Sequence, residues 1–326
     1  MKAMLCKEWG KPESLVLEEV ADPIPGEGEV RIGIRACGIN FADTLIISGQ
    51  YQVKPPFPFS PGLEIAGEIL EVGAGVTHLK PGDRVAAICG HGGLAEQVAI
   101  SAARVIPIPD SMDYNSAAGF AVAYGTSHLG LAHRANLQAG EVLLVHGAAG
   151  GVGLTAVEIG KLMGATVIAT ASTASKLELA AKYGADHLIN YREEDFRTRV
   201  KEITGGKGAD VILDPVGGDV FDQSVRCINW EGRILVIGFA SGRISKLPTN
   251  LTLVKNMSVV GVFWGAYADR DPKVLLNSLG TLLQWYEAGK LNIHVSQTFP
   301  LAESAAALNT LINRQAKGKV VVTIGE

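Results

Sequence analysis

The chain has 326 residues, 39 of them glycine, and sets 29 Lys and Arg against 33 Asp and Glu for a net charge of −4. At about 150 residues per domain this is two domains; 47% apolar content excludes a largely disordered chain, and the mild negative balance argues against a nucleic-acid surface. Cys6, Cys37, Cys89 and Cys227 are scattered without a C-x-x-C pair, and neither a signal-peptide core nor an apolar run of about 18 residues occurs, so a cytoplasmic protein without disulfides or membrane spans is expected.

The first 110 residues read as short strands cut by turns. Val30 to Ala36 alternates apolar and polar after Pro23, Pro25 and Gly28. Glycine turns at Gly73 to Gly75 and at Pro81 to Asp83 separate further strands, and AEQVAISAARVIPIP adds two more. A β-barrel-like domain is the simplest closure for so many short strands. After Pro109 the texture changes. Asn115 to Leu131 is Ala-rich and helix-like, and from Glu141 strands and helices alternate. Strands are expected at Val142–His146, Thr166–Thr170, His187–Ile189, Asp210–Asp214, Arg233–Gly238 and Ser258–Val262, with crossover helices between most of them. Six such strands fit a parallel dinucleotide-binding sheet. Pro272 to Gly289 and Ala302 to Arg314 read as helices and Lys319 to Ile324 as a closing strand that returns to the first domain. The expected division is 1–122 with 267–326, and an inserted domain at 123–266.

The segment LLVHGAAGGVGLTAVEIGKLMGATVIATAST carries the most chemistry. A β-run ends at His146; Gly147, Ala148, Gly150, Gly151, Val152 and Gly153 follow, and an amphipathic helix begins. Glycines let the backbone approach a pyrophosphate, and the helix N-terminus supplies unpaired N–H groups and the positive end of its dipole. Ala148, Gly150 and Gly153 hold the places of a relaxed G-x-G-x-x-G, with a strand before and a second strand after; the alternative is a purely structural turn. No Lys-Ser or Lys-Thr follows, which excludes a P-loop.

An NAD site usually presents an acid at the end of the second strand for the ribose 2′-hydroxyl. Here that place holds Ser172, Thr173, Ser175 and Lys176, with no acid before Glu178. Hydroxyls and an ammonium suit a 2′-phosphate, so NADPH is the expected cofactor, although the same residues also serve as helix caps. Tyr191 stands where it could cover the adenosine ribose or be an ordinary half-buried tyrosine. Gly238 and Phe239 follow the fifth strand, at the carboxyl edge where cofactors sit. Phe263 and Trp264 follow the sixth, as a hydrophobic wall or as subunit packing. Lys317, near the closing strand, is a candidate second cation for the phosphate.

These motifs, with ACGINFADTLIISGQYQVKPPFPFSPGLEIAGEILEVGAGV, KPGDRV, YGADHLINYREEDF, DVILDPVGGDVF, GRILVIGFASG and GKVVVTIG, cover nearly the whole chain. Together they resemble the quinone oxidoreductase, or zeta-crystallin, branch of the medium-chain dehydrogenase/reductases. The resemblance implies a GroES-like domain, an inserted Rossmann domain and a homodimer paired near Ser258 to Val262. It also implies that Asn40 and Tyr51 face the nicotinamide and the substrate, that Thr126 touches the nicotinamide side, and that Phe263 belongs to the cofactor pocket. Asn40 has the amide to donate to a substrate oxygen, or is a turn cap; Tyr51 could stack or supply a proton.

Zinc-dependent relatives carry Cys where this chain has Asn40 and His where it has Leu63, although Glu64 remains. Leucine has no lone pair, and a catalytic zinc needs about three side-chain ligands, so no metal is expected. A simple carbonyl needs a Lewis acid for the alkoxide formed on hydride transfer, whereas a quinone spreads that charge by conjugation. The expected function is therefore NADPH:quinone oxidoreduction. The alternatives are an enone or enoyl-thioester reductase, with Tyr51 as proton donor, and a noncatalytic NADPH-binding structural or RNA-binding protein.

Overall fold

The computed structural model describes residues 1–325 and divides into two units, Met1–Val122 with the chain from Ile293 onward, and Ala123–Asn292. In the first unit β1 (Lys2–Leu5) pairs antiparallel with β2 (Val16–Glu19). The long β3 (Glu29–Ile39) buries Val30, Ile32, Ile34 and Ala36 on one face. Beyond Ala36 both faces are covered, and Cys37, Gly38 and Ile39 are all buried. Then come α1 (Phe41–Ile47), β4 (Glu64–Val72), β5 (Arg84–Ile88), β6 (Gln97–Ser101), β7 (Val105–Pro107) and α2 (Tyr114–Ala118).

The chain crosses to the second unit within α3 (Ala121–His128). The helix-like stretch Asn115 to Leu131 holds two helices and runs into a π-helical segment at Leu129–Arg134. Next are β8 (Val142–Val145), α4 (Gly151–Leu162), β9 (Thr166–Ala171), α5 (Ala174–Lys182), β10 (His187–Asn190) and α6 (Phe196–Ile203). After these come β11 (Ala209–Asp214), α7 (Gly218–Cys227), β12 (Ile228–Val236), α8 (Thr249–Lys255), β13 (Ser258–Gly261), α9 (Tyr267–Arg270) and α10 (Pro272–Glu287). The six strands form one parallel sheet in the order β10-β9-β8-β11-β12-β13. Runs such as VLLV and VILD are buried on both faces, as a helix-covered parallel sheet requires.

Finally β14 (Val295–Pro300), α11 (Ser304–Ile312) and β15 (Lys319–Thr323) complete the first unit, whose main sheet runs β14-β15-β3-β4-β5-β7 with β6 also on β3. The return lies at Ile293, not at the expected residue 267. The reason is that α10 packs within the second unit. His128 Nδ1 and Ser278 Oγ are 2.7 Å apart, and the His128 ring meets Trp285 edge-on. Buried Glu158 on α4 accepts from the Tyr124 hydroxyl at 2.7 Å and the Asn292 N–H at 2.8 Å, which ties the last residue of the unit to its interior.

Candidate functional site

In the second unit β8 delivers the chain to Gly147, whose φ of 59° is left-handed backbone. Gly150 caps α4, and a Cβ on Gly153 would run into the Gly147 carbonyl, so only glycine lets the helix start this close to the turn. Ala148 and Ala149 are buried, and Ala148 N–H donates to the Thr170 carbonyl at 3.0 Å. The first turn of α4 is braced by α3, where Ser127 Oγ lies 2.8 Å from Thr155 Oγ1 and 2.9 Å from the Val152 carbonyl. Its neighbour Thr126 is buried beside Gly125, which a Trp264 ring covers so tightly that a Cβ would lie 2.7 Å from it. The Trp264 indole N–H is buried without a partner among the described residues.

At the end of β9, Ser172 and Lys176 are half-buried while Thr173 and Ser175 are exposed with their hydroxyls 3.4 Å apart. Tyr191 hangs from β9 by its N–H on the Ala171 carbonyl, with its side chain 44% exposed. No carboxylate belongs to residues 171–177. The loops after β11 and β12 zip together through Ala240 N–H to the Pro215 carbonyl and Ser241 N–H to the Val216 carbonyl. Buried Asp214 holds the first of these loops by accepting from the N–H groups of Val216 and Gly217. Burial pushes its carboxyl up, against the pull of those two donors. Gly238 and exposed Phe239 crown this edge, and exposed Phe263 follows β13. The turn, the β9 end and these loops all follow the carboxyl ends of parallel strands, the edge at which such sheets bind ligands. His146 is buried beneath, its ring nitrogens 3.0 Å from Thr170 Oγ1 and 2.9 Å from Ser224 Oγ; desolvation holds its pKa down at about 3.

The first unit holds Asn40, Tyr51 and Lys317, and around Asn40 it builds a dry polar cluster. Lys319 is 4% and Glu64 1% exposed, with Lys319 Nζ 2.8 Å from Glu64 Oε1, 2.9 Å from Asn40 Oδ1 and 3.1 Å from the Ile39 carbonyl. Asn40 Nδ2 donates to Glu64 Oε1 at 3.0 Å and to the Gly38 carbonyl at 3.2 Å. Both amide hydrogens are therefore engaged, and Asn40 is not the unoccupied donor that its residue type suggests. Asp43, wholly buried, accepts from the backbone N–H of Asn40 at 2.8 Å and of Gly62 at 3.1 Å. Desolvation outweighs these donors and the Lys319 charge, and its carboxyl is pushed up to about 7. Burial, with the Asp43 charge, also raises the Tyr51 phenol. Lys317 is half-buried two residues before Lys319.

Asp43 and Lys319 escape a reading of the sequence. Asp43 leaves a signal, a carboxylate three residues after a helix-capping Asn; a lysine opening the run KVVVTI leaves none. Among the described residues no three His, Cys, Asp or Glu side chains come together as metal ligands, and no helix is long and apolar enough to cross a membrane.

Residues 26–110 match the alcohol dehydrogenase GroES-like domain, and residues 151–279 the zinc-binding dehydrogenase family. A quinone oxidoreductase-like protein 2 homolog from Nematostella vectensis is 44% identical, covering 98% of this chain and 88% of its own. Quinone oxidoreductase-like protein 2 of Rattus norvegicus is 40% identical over 99% of this chain and 92% of its own. The crystal structure of Escherichia coli quinone oxidoreductase complexed with NADPH superimposes with a TM-score of 0.92 at 32% identity, covering 99% of this chain and all of the other. The chain belongs to the medium-chain dehydrogenase/reductase superfamily, in the zinc-independent quinone oxidoreductase branch that includes quinone oxidoreductase-like protein 2.

Proposed function

We propose that the protein is an NADPH-dependent quinone oxidoreductase that works without zinc. The observation that carries this reading is the glycine cradle at Gly147–Gly153 joined to a β9 end that offers hydroxyls and Lys176 but no carboxylate. Bound there, NADPH supplies a hydride, and with one proton a quinone becomes a hydroquinone. The N–H groups of the turn and the α4 N-terminus take the pyrophosphate. Ser172, Thr173, Ser175 and Lys176 would take the 2′-phosphate, with Tyr191 at the ribose. Thr126, Gly238, Phe239 and Phe263 flank the nicotinamide.

On the acceptor side stand Asn40 and Tyr51. Of the two Asn40 hydrogens, the one on the Gly38 carbonyl makes the longer bond, 3.2 Å against 3.0 Å, and is the one a quinone oxygen displaces. Tyr51 offers its phenol as hydrogen-bond donor; its raised pKa keeps it protonated. A conjugated acceptor fits residues at Asn40 and Leu63 that are poor zinc ligands. A homodimer, by kinship, and a cytoplasmic location, by four cysteines that form no disulfide, complete the reading.

The test compares oxidation of NADPH and NADH by 1,4-benzoquinone, a simple enone and crotonyl-CoA. Fastest turnover with NADPH and the quinone is expected; preference for crotonyl-CoA would move the assignment to an enoyl-thioester reductase. In direct titration, Lys176→Ala should weaken NADPH binding by about 1.5 to 3 kcal/mol, the scale of a hydrogen bond to a charged group. NADH binding should hardly move. Equal losses for both cofactors would remove Lys176 from the phosphate site.

A further inference from the structure

Resting on the quinone-reductase reading above, we propose that Lys319 is a positioning residue for the reaction, a tethered cation that sets which way the Asn40 amide faces. In the sheet β15 and β4 flank β3, with Val320 opposite Ile39 and Glu64 opposite Gly38. Lys319 and Glu64 thus meet over the end of β3. Two glycines make room. A Cβ on Gly38 would strike the Ala118 carbonyl, and one on Gly119 would press on the Lys319 stem at 3.2 Å.

The three hydrogens of the ammonium have three acceptors, the Ile39 carbonyl, Asn40 Oδ1 and Glu64 Oε1. With Lys319 on its oxygen and Glu64 on its nitrogen, Asn40 has one orientation. Turned over, it would set oxygen against carboxylate and NH₂ against ammonium. The ammonium therefore decides that an N–H, and not a carbonyl oxygen, is what Asn40 exchanges with the acceptor. So dry an ion pair is a poor device for stability alone, because desolvation consumes most of its attraction. Facing Asp43 from the surrounding elements are the Cys37 thiol of β3, Glu64 of β4, Cys89 after β5, Tyr51 after α1 and Lys319 of β15. Within this group Lys319 and Glu64 push the Asp43 carboxyl in opposite directions.

The experiment uses the full chain, Lys319→Met, and the uncharged pair Glu64→Gln/Lys319→Met. It reads kcat and KM for 1,4-benzoquinone at saturating NADPH, NADPH affinity, Tm, and the Asn40 side-chain NH₂ signals in asparagine-labelled protein. Lys319→Met should lower quinone kcat/KM by about tenfold or more, the scale of one misplaced hydrogen bond. NADPH affinity should be unchanged, and the Asn40 NH₂ signals should lose their protection from exchange. The double variant should regain Tm but neither the turnover nor the Asn40 signals. Wild-type turnover and unchanged Asn40 signals in the double variant would overturn the proposal and leave Lys319 a packing residue. If the wild-type protein reduces no quinone with NADPH, the functional reading fails, and the Asn40 signals alone still decide whether Lys319 fixes the amide.

Discussion

Each unit buries polar groups near the end of a central strand, and the two do so by different physics. Beyond β3 the first unit encloses two carboxylates, Asp43 and Glu64, with one ammonium, beside the half-buried Asn40 amide. Beyond β8 the second unit encloses a single imidazole between two hydroxyls, with Phe196 edge-on at 4.8 Å. The imidazole escapes the cost of burial by staying neutral. The first cluster does so only in part: burial raises the Asp43 carboxyl to about 7, but Lys319 and Glu64 remain an ion pair in the interior. Neutral networks are cheap to keep and give up little when a partner is lost; charged ones hold geometry tightly and fail badly when one member goes.

The sharpest way to break the contrast is Glu64→Leu, which strands the Lys319 ammonium. A loss of about 3 to 5 kcal/mol is expected in denaturant unfolding, as for other buried pairs cut on one side. A loss below 1 kcal/mol would mean that water reaches the cluster. Next in size is the response to acid. The folded-state pKa of His146 is about 3, so below its ordinary value of 6.5 the unfolded chain takes up a proton that the folded chain refuses. Stability falls with pH through that window, by about 2 kcal/mol between pH 6.5 and 5. Asp43 works with the opposite sign. Its carboxyl, at about 7, binds a proton in the folded state before the unfolded one does, so its burial cost eases as pH falls from 7 towards 3.8. His146→Gln should remove the first response and leave the second, so that the variant gains on wild type as the pH drops. Parallel stability curves for the two proteins would refute the assignment. Smallest is Ser224→Ala, which takes one neutral partner from His146. It should cost about 1 to 2 kcal/mol by the same unfolding measurement, well short of the Glu64 change.

What the sequence disclosed follows the same division. The inner strands β8, β9 and β11 are legible because both faces are buried, so their apolar runs are nearly unbroken, and the Gly147–Gly153 turn is legible because steric need dictates glycine. The outermost strand β14 of the first unit is not. β14 is half-exposed along its length, and its pattern VSQTFP has no clean alternation. The return at Ile293 was hidden because it depends on Glu158 reaching Asn292, 134 residues away in sequence. Asn40 is a candidate by resemblance, but the engagement of its amide leaves no mark in the sequence, since Lys319 comes 279 residues later. Long-range pairings between charged groups leave no local periodicity.

The position of β15 between β14 and β3 also sets an order of events during synthesis. All six strands of the parallel sheet lie in one continuous stretch, so the second unit can complete its sheet while the ribosome is still working. The first unit cannot. Its Glu64 is translated 255 residues before the lysine that pairs with it, and until residue 319 has emerged the carboxylate has no cation and β3 lacks one of its neighbours. A nascent chain stalled short of that point carries a finished nucleotide-binding sheet beside an open one, with an unpaired strand edge where chaperones or a second chain can bind.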